Sequence, residues 1–344
     1  MHFEKLGVAE AMLSSNPSTI TRTVFYSSRG HRVSVPSTWF GGGAALGLSR
    51  SAMDNNLFEK AQSLVDVLQN TTITDVLQQN GRVCGVRAKT PKDENEYVAT
   101  LTLDATGRSR ILTRRIDDGN KNHVQRGLVA FKAHLTGAEQ PKDVCEIYSY
   151  PRGYGGLSTV ENGVSNLCFI VSAGDVRRYH SDADIVMQET VMRNQRAAVT
   201  LRNAQRCSDW LSVSLDRFGP ANPAPKNGLL AIGDSASFID PFTGSGMLMA
   251  LESGELVAKV VSRHLKALSD TTQLNDLSRD YLSEYGSKFG SRLRISGWLR
   301  RTAFNPRLAE MTIIACSLSG RLRNRLARAT RATVDGDRHT VSIS

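Results

Sequence analysis

The chain has 344 residues, enough for about two domains, and its 40% hydrophobic and 22% charged content excludes a fibrous or disordered protein. Its five cysteines are scattered without a CxxC pair, which suits a reducing cytoplasm and excludes a disulfide framework and a zinc site. The net charge is +10, no signal pattern opens the sequence, and no apolar run reaches the ~20 residues of a membrane span. We therefore expect a cytoplasmic protein.

The first clear elements are one helix and three strands. Apolar spacing of three and four residues predicts a helix from about Ala52, with one face formed by Met53, Leu57, Ala61, Leu64 and Leu68. The segments TTITDVL (71–77), RVCGVRAK (82–89) and EYVATLTL (96–103) favour strands and are joined by short polar turns. Such sequential strands predict an antiparallel meander. Its last strand runs into DATGRSR (104–110).

The middle of the chain changes character. From about residue 120 to 227, the strand-like pieces GLVAFKAHL, VCEIYSY and NLCFIVSA are separated by Gly and Pro, and a polar helical stretch follows at 183–208. Because β–α alternation is lacking, we expect a second domain built on an antiparallel sheet. GLLAIGD (228–234) then predicts a strand buried on both faces of a parallel sheet. The next helix is predicted to share a face among Met247, Leu251, Val257, Val261 and Leu265.

The C-terminal region is predicted to be helical and basic. Residues 288–331 contain eleven Lys and Arg residues and one acid, Glu310, so the rest of the chain is close to neutral. No nucleic-acid-reading module accompanies this charge, and we expect no nucleic-acid partner. One interpretation is a solvated basic face. The other is peripheral membrane contact through 288–331, because Leu, Ile and Trp298 interleave with the arginines.

The stretch GDSASFIDPFTGSG has the features of a ligand-facing sheet edge. Ligands of open α/β sheets lie at the carboxyl ends of strands, where Asp234 can accept a hydrogen bond from a polyol or ribose hydroxyl. Gly244 and Gly246 allow the backbone to approach a flat ring closely. The following helix directs its N–H groups and positive dipole end at an anionic ring carbonyl, such as that of a reduced flavin. The alternative is an ordinary helix start capped by Asp240 and Thr243.

Three motifs resemble one superfamily. GLLAIGDSASFIDPFTGSGMLMALESG resembles the second flavin motif of FAD-dependent monooxygenases, geranylgeranyl reductases and flavin halogenases. LSRSAMDNNLFEKA (48–61) resembles their Arg-containing helix start near the FAD pyrophosphate, and LTLDATGRSR (101–110) resembles their Asp-Ala-Thr-Gly segment. The resemblance implies FAD as cofactor and an FAD-dependent oxidoreductase as function.

The resemblance also implies which residues bind FAD. These are Arg50, Asp104, Ala105, Thr106 and Gly107 near the adenosine diphosphate half, Gly233 and Asp234 at the ribityl chain, and Pro241, Gly244, Ser245, Gly246 and Met247 along the isoalloxazine. No metal ligand is implied. No His, Asp or Glu of the second domain has a spacing that marks a general acid, so no catalytic side chain is assigned.

The expected fold is mixed α/β (α+β). Its expected parts are a discontinuous FAD-binding domain at 40–118 and 226–266, a substrate domain at 1–39 and 119–225, basic C-terminal helices at 267–335 and a tail at 336–344. Family members open with a strand–GxGxxG–helix–strand unit of about 30 residues, and this sequence has no such unit; GGGAALG (41–47) has the glycines without the spacing. We therefore expect an incomplete Rossmann-like domain in a truncated enzyme. The alternative is a non-catalytic remnant, or a partner- or membrane-surface-binding protein that retains the fold.

Two reactions on an apolar small molecule remain open under the resemblance. One is hydride transfer from reduced FAD to a carbon–carbon double bond, and the other is flavin-hydroperoxide monooxygenation. NAD(P)H or another donor would supply the electrons. The Trp-x-Trp-x-Ile-Pro segment of the halogenases is absent, so we do not expect halogenation. The Tyr-x-Trp-x-Phe-Pro signature of the reductases is also absent, which leaves an isoprenoid substrate open.

The flavin assignment predicts a visible absorbance spectrum. We expect flavin bands in a form extended through any open reading frame upstream of Met1, and weak or no bands in the 344-residue chain, because the pyrophosphate-binding loop is absent from the latter. Tight FAD binding by the 344-residue chain would contradict the expected truncation. If neither form shows the bands, even with added FAD, the flavin assignment fails.

Overall fold

A computed structural model describes residues 2–40, 44–116, 127–215, 218–265 and 271–329. The predicted tail at 336–344 and the first three glycines of GGGAALG lie outside these residues. The chain divides into two compact units, each assembled from separate stretches of sequence. The first unit comprises 1–58, 127–214 and 301–344, and the second comprises 59–126 and 215–300.

The described helices are α1 His2–Lys5, α2 Ala9–Ser14, α3 Arg50–Gln62, α4 Ile111–Ile116, α5 Ala173–Arg178, α6 Ala183–Thr190, α7 Gln195–Thr200, α8 Gly246–His264, α9 Thr271–Ala303, α10 Pro306–Leu318 and α11 Gly320–Ala329. The described strands are β1 Ser18–Ile20, β2 Arg22–Tyr26, β3 Arg32–Pro36, β4 Ala45–Gly47, β5 Thr72–Gln79, β6 Arg82–Lys89, β7 Glu94–Val98, β8 Thr102–Asp104, β9 Leu128–Thr136, β10 Val144–Tyr150, β11 Gly153–Thr159, β12 Ser165–Ser172, β13 Gln205–Arg206, β14 Leu211–Leu215, β15 Gly219–Pro220, β16 Leu229–Ala231 and β17 Ser237–Phe238. The predicted mixed α/β fold with C-terminal helices is confirmed.

One large sheet organises the first unit. Its strand order is β13-β9-β12-β11-β10-β2-β3, with β14 paired to β9. The pairs along β9, β12, β11 and β10 are antiparallel, as expected, whereas β10 and β2 run parallel. Burial alternates along parts of these strands, and the buried side chains form a core between the sheet and helices α6 and α7. Its fully buried large side chains include Tyr148, Leu157, Leu167 and Phe169.

The second unit contains the predicted meander and a separate parallel pair. β5, β6 and β7 form the antiparallel meander. The expected single strand EYVATLTL is wrong, because β7 ends at Val98 and β8 begins at Thr102. The chain leaves the meander here, since the Thr102 N–H donates to the Gly228 carbonyl and β8 pairs in parallel with β16. All three residues of β16 are buried, as predicted for a strand covered on both faces.

The predicted helix after Ala52 is shorter and less buried than expected. α3 ends at Gln62 and buries none of its residues, and beyond it Leu64 and Leu68 are 70% and 57% exposed. The intervening positions are mostly polar, and the Asn56 amide of α3 donates hydrogen bonds to the Ala11 carbonyl and to Ser15 Oγ. Met53 and Leu57 are only half-buried, and the polar contacts of Asn56 supplement this partly covered face.

The apolar face expected for α8 is correct only in part, because Val257 is buried and Leu251 and Val261 are half-buried, but the two end positions are not. The buried side includes Met249, Leu256 and Val260, whereas Met247 is 48% exposed and Leu265 is 58% exposed. Because polar residues also lie on the buried side, the positions of the apolar residues alone do not show which face of α8 is buried. Of these, Glu252 pairs with Arg292 of α9, and Ser253 bonds to the backbone of the chain before the helix.

The Glu252–Arg292 ion pair lies inside the core of the second unit. The Arg292 Nη1 to Glu252 Oε2 distance is 2.7 Å, and each side chain is only 4% exposed. Around it, Tyr281, Tyr285 and Phe289 follow one another at four-residue spacing on α9 and pack against α8 and β16. The Tyr281 hydroxyl also donates to the Ala231 carbonyl of β16 at 2.8 Å.

Removal of one member of this pair should leave an uncompensated buried charge. We expect Glu252→Leu to lower the free energy of unfolding by about 3–5 kcal/mol, and the double variant Glu252→Leu/Arg292→Met to recover most of that loss. Urea denaturation measures both. The matched control is Glu284→Ala, which breaks the exposed pair with Arg263 and should cost less than about 1 kcal/mol. Equal losses for Glu252→Leu and the control would contradict the expectation.

Candidate active site

Two predicted motifs meet at the carboxyl ends of β8 and β16. The two strands run parallel with Ala231 opposite Asp104, and the Ile232 N–H donates to the Asp104 carbonyl at 3.0 Å. Each strand is then followed by a 3-10 turn, Gly107–Ser109 after β8 and Gly233–Ser235 after β16. The Asp-Ala-Thr-Gly segment and the Gly-Asp segment are therefore neighbours at one edge of the pair.

The Asp104 carboxylate holds these turns together. It is fully buried and accepts five hydrogen bonds, from the N–H and hydroxyl of Thr106, the N–H and hydroxyl of Thr113, and the hydroxyl of Ser235. The Ser235 hydroxyl also lies 3.0 Å from the Gly107 carbonyl. All five donors to the Asp104 carboxylate therefore come from the protein. Its role at this edge is to fix the turns that carry the neighbouring predicted residues.

Burial opposes ionisation of Asp104, but the hydrogen bonds from Thr106, Ser235 and Thr113 outweigh it and lower the pKa of the carboxyl below its ordinary value. The side chain is therefore an anion at neutral pH. Each of its donors can remain directed at it without competition from solvent, because the residue is 0% exposed.

The remaining residues of the two turns are more open. Ala105 is exposed, and Gly107 has φ +68° with open space where a Cβ would stand, since no atom lies within 4 Å of that position. Gly233 has φ +57° and its N–H donates to Ser253 Oγ of α8 at 2.8 Å, which ties the turn to the helix. Asp234 is half-buried in the middle of that turn. The open backbone of Gly107 and the half-buried Asp234 therefore belong to the two turns at this edge.

The Asp-Pro-Phe-Thr-Gly-Ser-Gly segment shapes the start of α8. The Asp240 carboxylate accepts from the Phe242 N–H at 2.9 Å and so caps the 3-10 turn Pro241–Thr243, as the alternative interpretation expected of it. Gly244 follows in the left-handed region with φ 61°. The Ser245 hydroxyl is buried and lies 2.9 Å from Thr243 Oγ1.

Because Ser245 is turned inward, it makes no side-chain cap for the 19-residue helix α8. The first N–H groups of this helix therefore carry the positive end of the dipole without a hydroxyl or carboxylate from the N-cap residue. Pro241, Gly244 and Met247 are exposed around this helix start. The helix start is therefore partly apolar and carries the positive end of the helix dipole.

Gly246 tests whether this surface fits a flavin ring. Its φ is outside the left-handed region, and a Cβ there would make only an ordinary contact of 3.6 Å with Ile239 Cγ2. The packing of the protein itself therefore does not demand glycine at this position. A flat ring lying against the helix start would require glycine here, because a side chain would collide with it. The N–H donors of the helix start match the anionic N1/C2=O side of a reduced flavin. The residues present fit FAD.

Arg50 lies in the first unit, whereas the other residues predicted to bind FAD belong to the second unit. It is the first residue of α3, and its guanidinium pairs with Asp54 at 2.9 Å with about half of each side chain exposed. The helix start is fixed by Ser49, whose hydroxyl accepts from the Ala52 N–H and whose own N–H donates to Glu161 at 2.7 Å. The role of Arg50 in FAD binding stays a prediction.

A layered cluster beside the Asp240 turn was not anticipated. Phe218 and Phe238 stack with ring centroids 5.0 Å apart, Arg108 lies over Phe238, and Arg300 lies 4.6 Å over Phe218. The Arg300 Nε is also 3.7 Å from Asp240 Oδ2. α9 therefore supports the turn that precedes α8. Cation–ring contacts between distant segments leave no periodic signal, and a count of motifs could not find them.

Comparison with known proteins connects these motifs to flavoenzymes. The family profile described as squalene epoxidase matches residues 198–286, which include the start of α8. The 1H-pyrrole-2-carbonyl-[peptidyl-carrier protein] brominase of Pseudoalteromonas luteoviolacea is 24% identical over 225 residues, covering 63% of this chain and 55% of the brominase. The digeranylgeranylglycerophospholipid reductase of Methanocaldococcus jannaschii is 37% identical over 67 residues, 20% of this chain and 15% of the reductase.

Solved structures give the same result for the fold. The flavin-dependent brominase Bmp2 has a TM-score of 0.77 at 18% identity, covering 97% of this chain and 82% of that one. A geranylgeranyl bacteriochlorophyll reductase-like protein from Thermoplasma acidophilum has a TM-score of 0.66 at 17% identity, covering 93% and 78%. The resemblance to FAD-dependent oxidoreductases is confirmed.

The chain has the fold of these FAD-binding flavoenzymes, and it spans about half the length of the curated brominase relative. Across the part of the chain that the structure describes, no helix is long and apolar enough to cross a membrane. Within the same ranges, no group of His, Cys, Asp and Glu is arranged to hold a metal ion.

The Asp104 network predicts a pH-dependent loss of stability. Asp104→Asn should lower the free energy of unfolding by about 2–4 kcal/mol at neutral pH, since an amide cannot accept all five hydrogen bonds and hydrogen bonds to a charged group are strong. Because the folded pKa is lowered, the stabilisation by Asp104 is complete above the unfolded pKa of about 4 and is lost as the pH falls through the folded pKa.

Urea denaturation between about pH 7 and pH 3 should therefore show a difference between wild type and Asp104→Asn that shrinks toward acid pH. The exposed Asp93→Asn serves as the matched control and should change little at any pH. A difference that is independent of pH, or one no larger than that of the control, would contradict the assigned role of the carboxylate.

Proposed function

We propose that the chain is an FAD-dependent oxidoreductase whose isoalloxazine site is the start of α8. The observation that carries the proposal is the start of α8, which has no capping hydrogen bond from its N-cap side chain and is bordered by Gly244 and Gly246. A helix N-terminus of this kind favours an anionic group, and the small residues leave room for a flat ring.

Each predicted residue then has a defined task. Asp234 holds the ribityl hydroxyls, and the N–H groups at Gly246 and Met247 direct the positive end of α8 at the ring. Pro241, Gly244 and Ser245 shape the surface on which the ring lies. The turn of Ala105, Thr106 and Gly107, held by Asp104, and the guanidinium of Arg50 would contact the adenosine diphosphate half.

When bound, FAD supplies the redox chemistry, as hydride transfer to a double bond or as insertion of an oxygen atom from O₂. The protein contributes the position of the ring and the electrostatic stabilisation of its negative charge by the N–H groups of α8. NAD(P)H or another reductant is the proposed electron donor.

The proposed substrate is an apolar small molecule. Names among the relatives support this class: squalene epoxidase 1 of Arabidopsis thaliana is 28% identical over 225 residues, 63% of this chain and 41% of that enzyme. The reductase named above acts on a digeranylgeranylglycerophospholipid, according to its name. The name of the brominase specifies a carrier-protein-bound pyrrole, which makes a carrier-bound substrate the second class to test.

The proposal predicts that a single methyl group at Gly246 weakens FAD binding. Gly246→Ala should raise the dissociation constant for FAD by about tenfold or more, since overpacking a tight contact costs ~1–3 kcal/mol. Titration followed by flavin absorbance measures it, in whichever of the two forms described above carries the flavin bands. The fold should tolerate the change, because the new Cβ has ordinary contact distances.

Gly254→Ala is the matched control. Gly254 lies on the same helix, and a Cβ there would have no atom within 4 Å. FAD affinity should stay within about twofold of wild type in this variant. Equal FAD affinities of the Gly246→Ala and Gly254→Ala variants would contradict the proposal that the isoalloxazine ring lies at the start of α8. Absence of FAD binding from both forms would overturn the flavin function itself and leave a non-catalytic protein with this fold.

A further inference from the structure

Helix α10 carries apolar side chains on two opposite sides. On its inner side, Ile313 and Cys316 are buried and pack with Val33 of β3. Glu310 is on this side too, because its carboxylate lies 3.7 Å from Arg29 and 3.4 Å from His31. These contacts fix which side of the helix faces the sheet of the first unit.

The other side of α10 is apolar and exposed. Leu308, Met311 and Leu318 are 47%, 66% and 83% exposed, and Ala315 between them is exposed as well. Their spacing of three, four and three residues places them on one face of the helix. Ser319 interrupts the helix with an extended backbone, and Leu322 of α11 beyond it is 38% exposed. A helix packed on a protein core normally directs polar residues to water. This second apolar side is therefore expected to contact an apolar environment other than the protein core.

Exposed arginines accompany this apolar side in the same segment of the chain. Arg307 of α10 is exposed, and Arg321, Arg325 and Arg328 are exposed along one face of α11 at spacings of four and three. The single acid in the two helices is Glu310, whose side chain is 17% exposed and engaged on the inner side. We define the outer face of α10–α11 by Leu308, Met311, Leu318 and Leu322 with Arg307, Arg321, Arg325 and Arg328. Its charge is therefore entirely positive.

We propose that the outer face of α10–α11 binds the surface of an anionic phospholipid bilayer. The four apolar side chains would enter the boundary between headgroups and acyl chains, and the four guanidinium groups would contact lipid phosphates. Neither feature alone has this meaning. A purely basic surface would suit any polyanion and a purely apolar one would suit any hydrophobic partner, whereas a segment that lies in a membrane interface needs both. The proposal does not depend on FAD.

Sedimentation of the full chain with vesicles tests it. We expect binding to phosphatidylcholine vesicles that contain about 30 mol% phosphatidylserine, at least about tenfold weaker binding to phosphatidylcholine alone, and weaker binding at high salt. Met311→Glu/Leu318→Glu should weaken binding to the anionic vesicles by about tenfold or more. The triple variant Arg321→Gln/Arg325→Gln/Arg328→Gln should do the same, since each basic residue near an anionic surface contributes on the order of fivefold.

Matched control variants change equally exposed residues elsewhere in the first unit. Leu13→Glu/Leu211→Glu replaces leucines that are 59% and 65% exposed, and the second control replaces the exposed residues Arg22, Arg177 and Arg202 by Gln. Both controls should bind within about twofold of wild type. All altered side chains are exposed, so circular dichroism should show an unchanged fold.

Two outcomes would overturn the proposal. One is the absence of a specific role for the outer face, seen either as no vesicle binding at all or as equal losses of binding in the outer-face variants and in the controls. The other is concentration-dependent self-association of the free chain, measured by light scattering and abolished by Met311→Glu/Leu318→Glu, without vesicle binding. That result would assign the outer face to a second copy of this chain.

Discussion

The geometry of the candidate site depends on one buried carboxylate. β8 and β16 pair over only three residues each, so their backbone ladder alone gives the strand ends little support. Asp104 supplements it by joining residues from segments that are 131 positions apart in sequence. A charged acceptor with five donors is a strong and directional constraint in a site closed to solvent. The turns that border the start of α8 owe their relative positions to it.

At the start of α8, in contrast, the side chain of the N-cap residue makes no capping hydrogen bond. A serine stands at the N-cap position, where a capping hydrogen bond would stabilise a helix by about 0.5–2 kcal/mol, yet its hydroxyl is directed at Thr243. Local stability is thus lower than the sequence would allow. Departures of this kind are expected where a ligand completes the structure. The protein supplies every donor around Asp104, whereas the first N–H groups of α8 receive no acceptor from the N-cap side chain.

Local patterns in the sequence predicted the elements better than their partners. The meander, the buried strand β16 and the C-terminal helices follow from composition and spacing, because burial of one or both faces leaves a periodic signal. The division of EYVATLTL between two sheets could not be predicted, since pairing with β16 decides it. The buried face of α8 was predicted only in part, because Glu252 appears as a surface residue until Arg292 is placed beside it. In the site, the motifs indicated Asp104 and Gly246, whereas Thr113, Ser235 and Arg300 depend on contacts between distant segments.

The division of the chain into units has a consequence for biosynthesis. The second unit uses residues up to 300, whereas the first unit combines the N-terminal 58 residues with segments that include 301–344. On the ribosome, the second unit can therefore be complete while the first still lacks α10, whose Ile313 and Cys316 cover Val33 of β3. Until then the early strands expose an apolar edge, in the state most prone to misassembly. Residues 1–58 are therefore synthesised well before the segment that covers Val33.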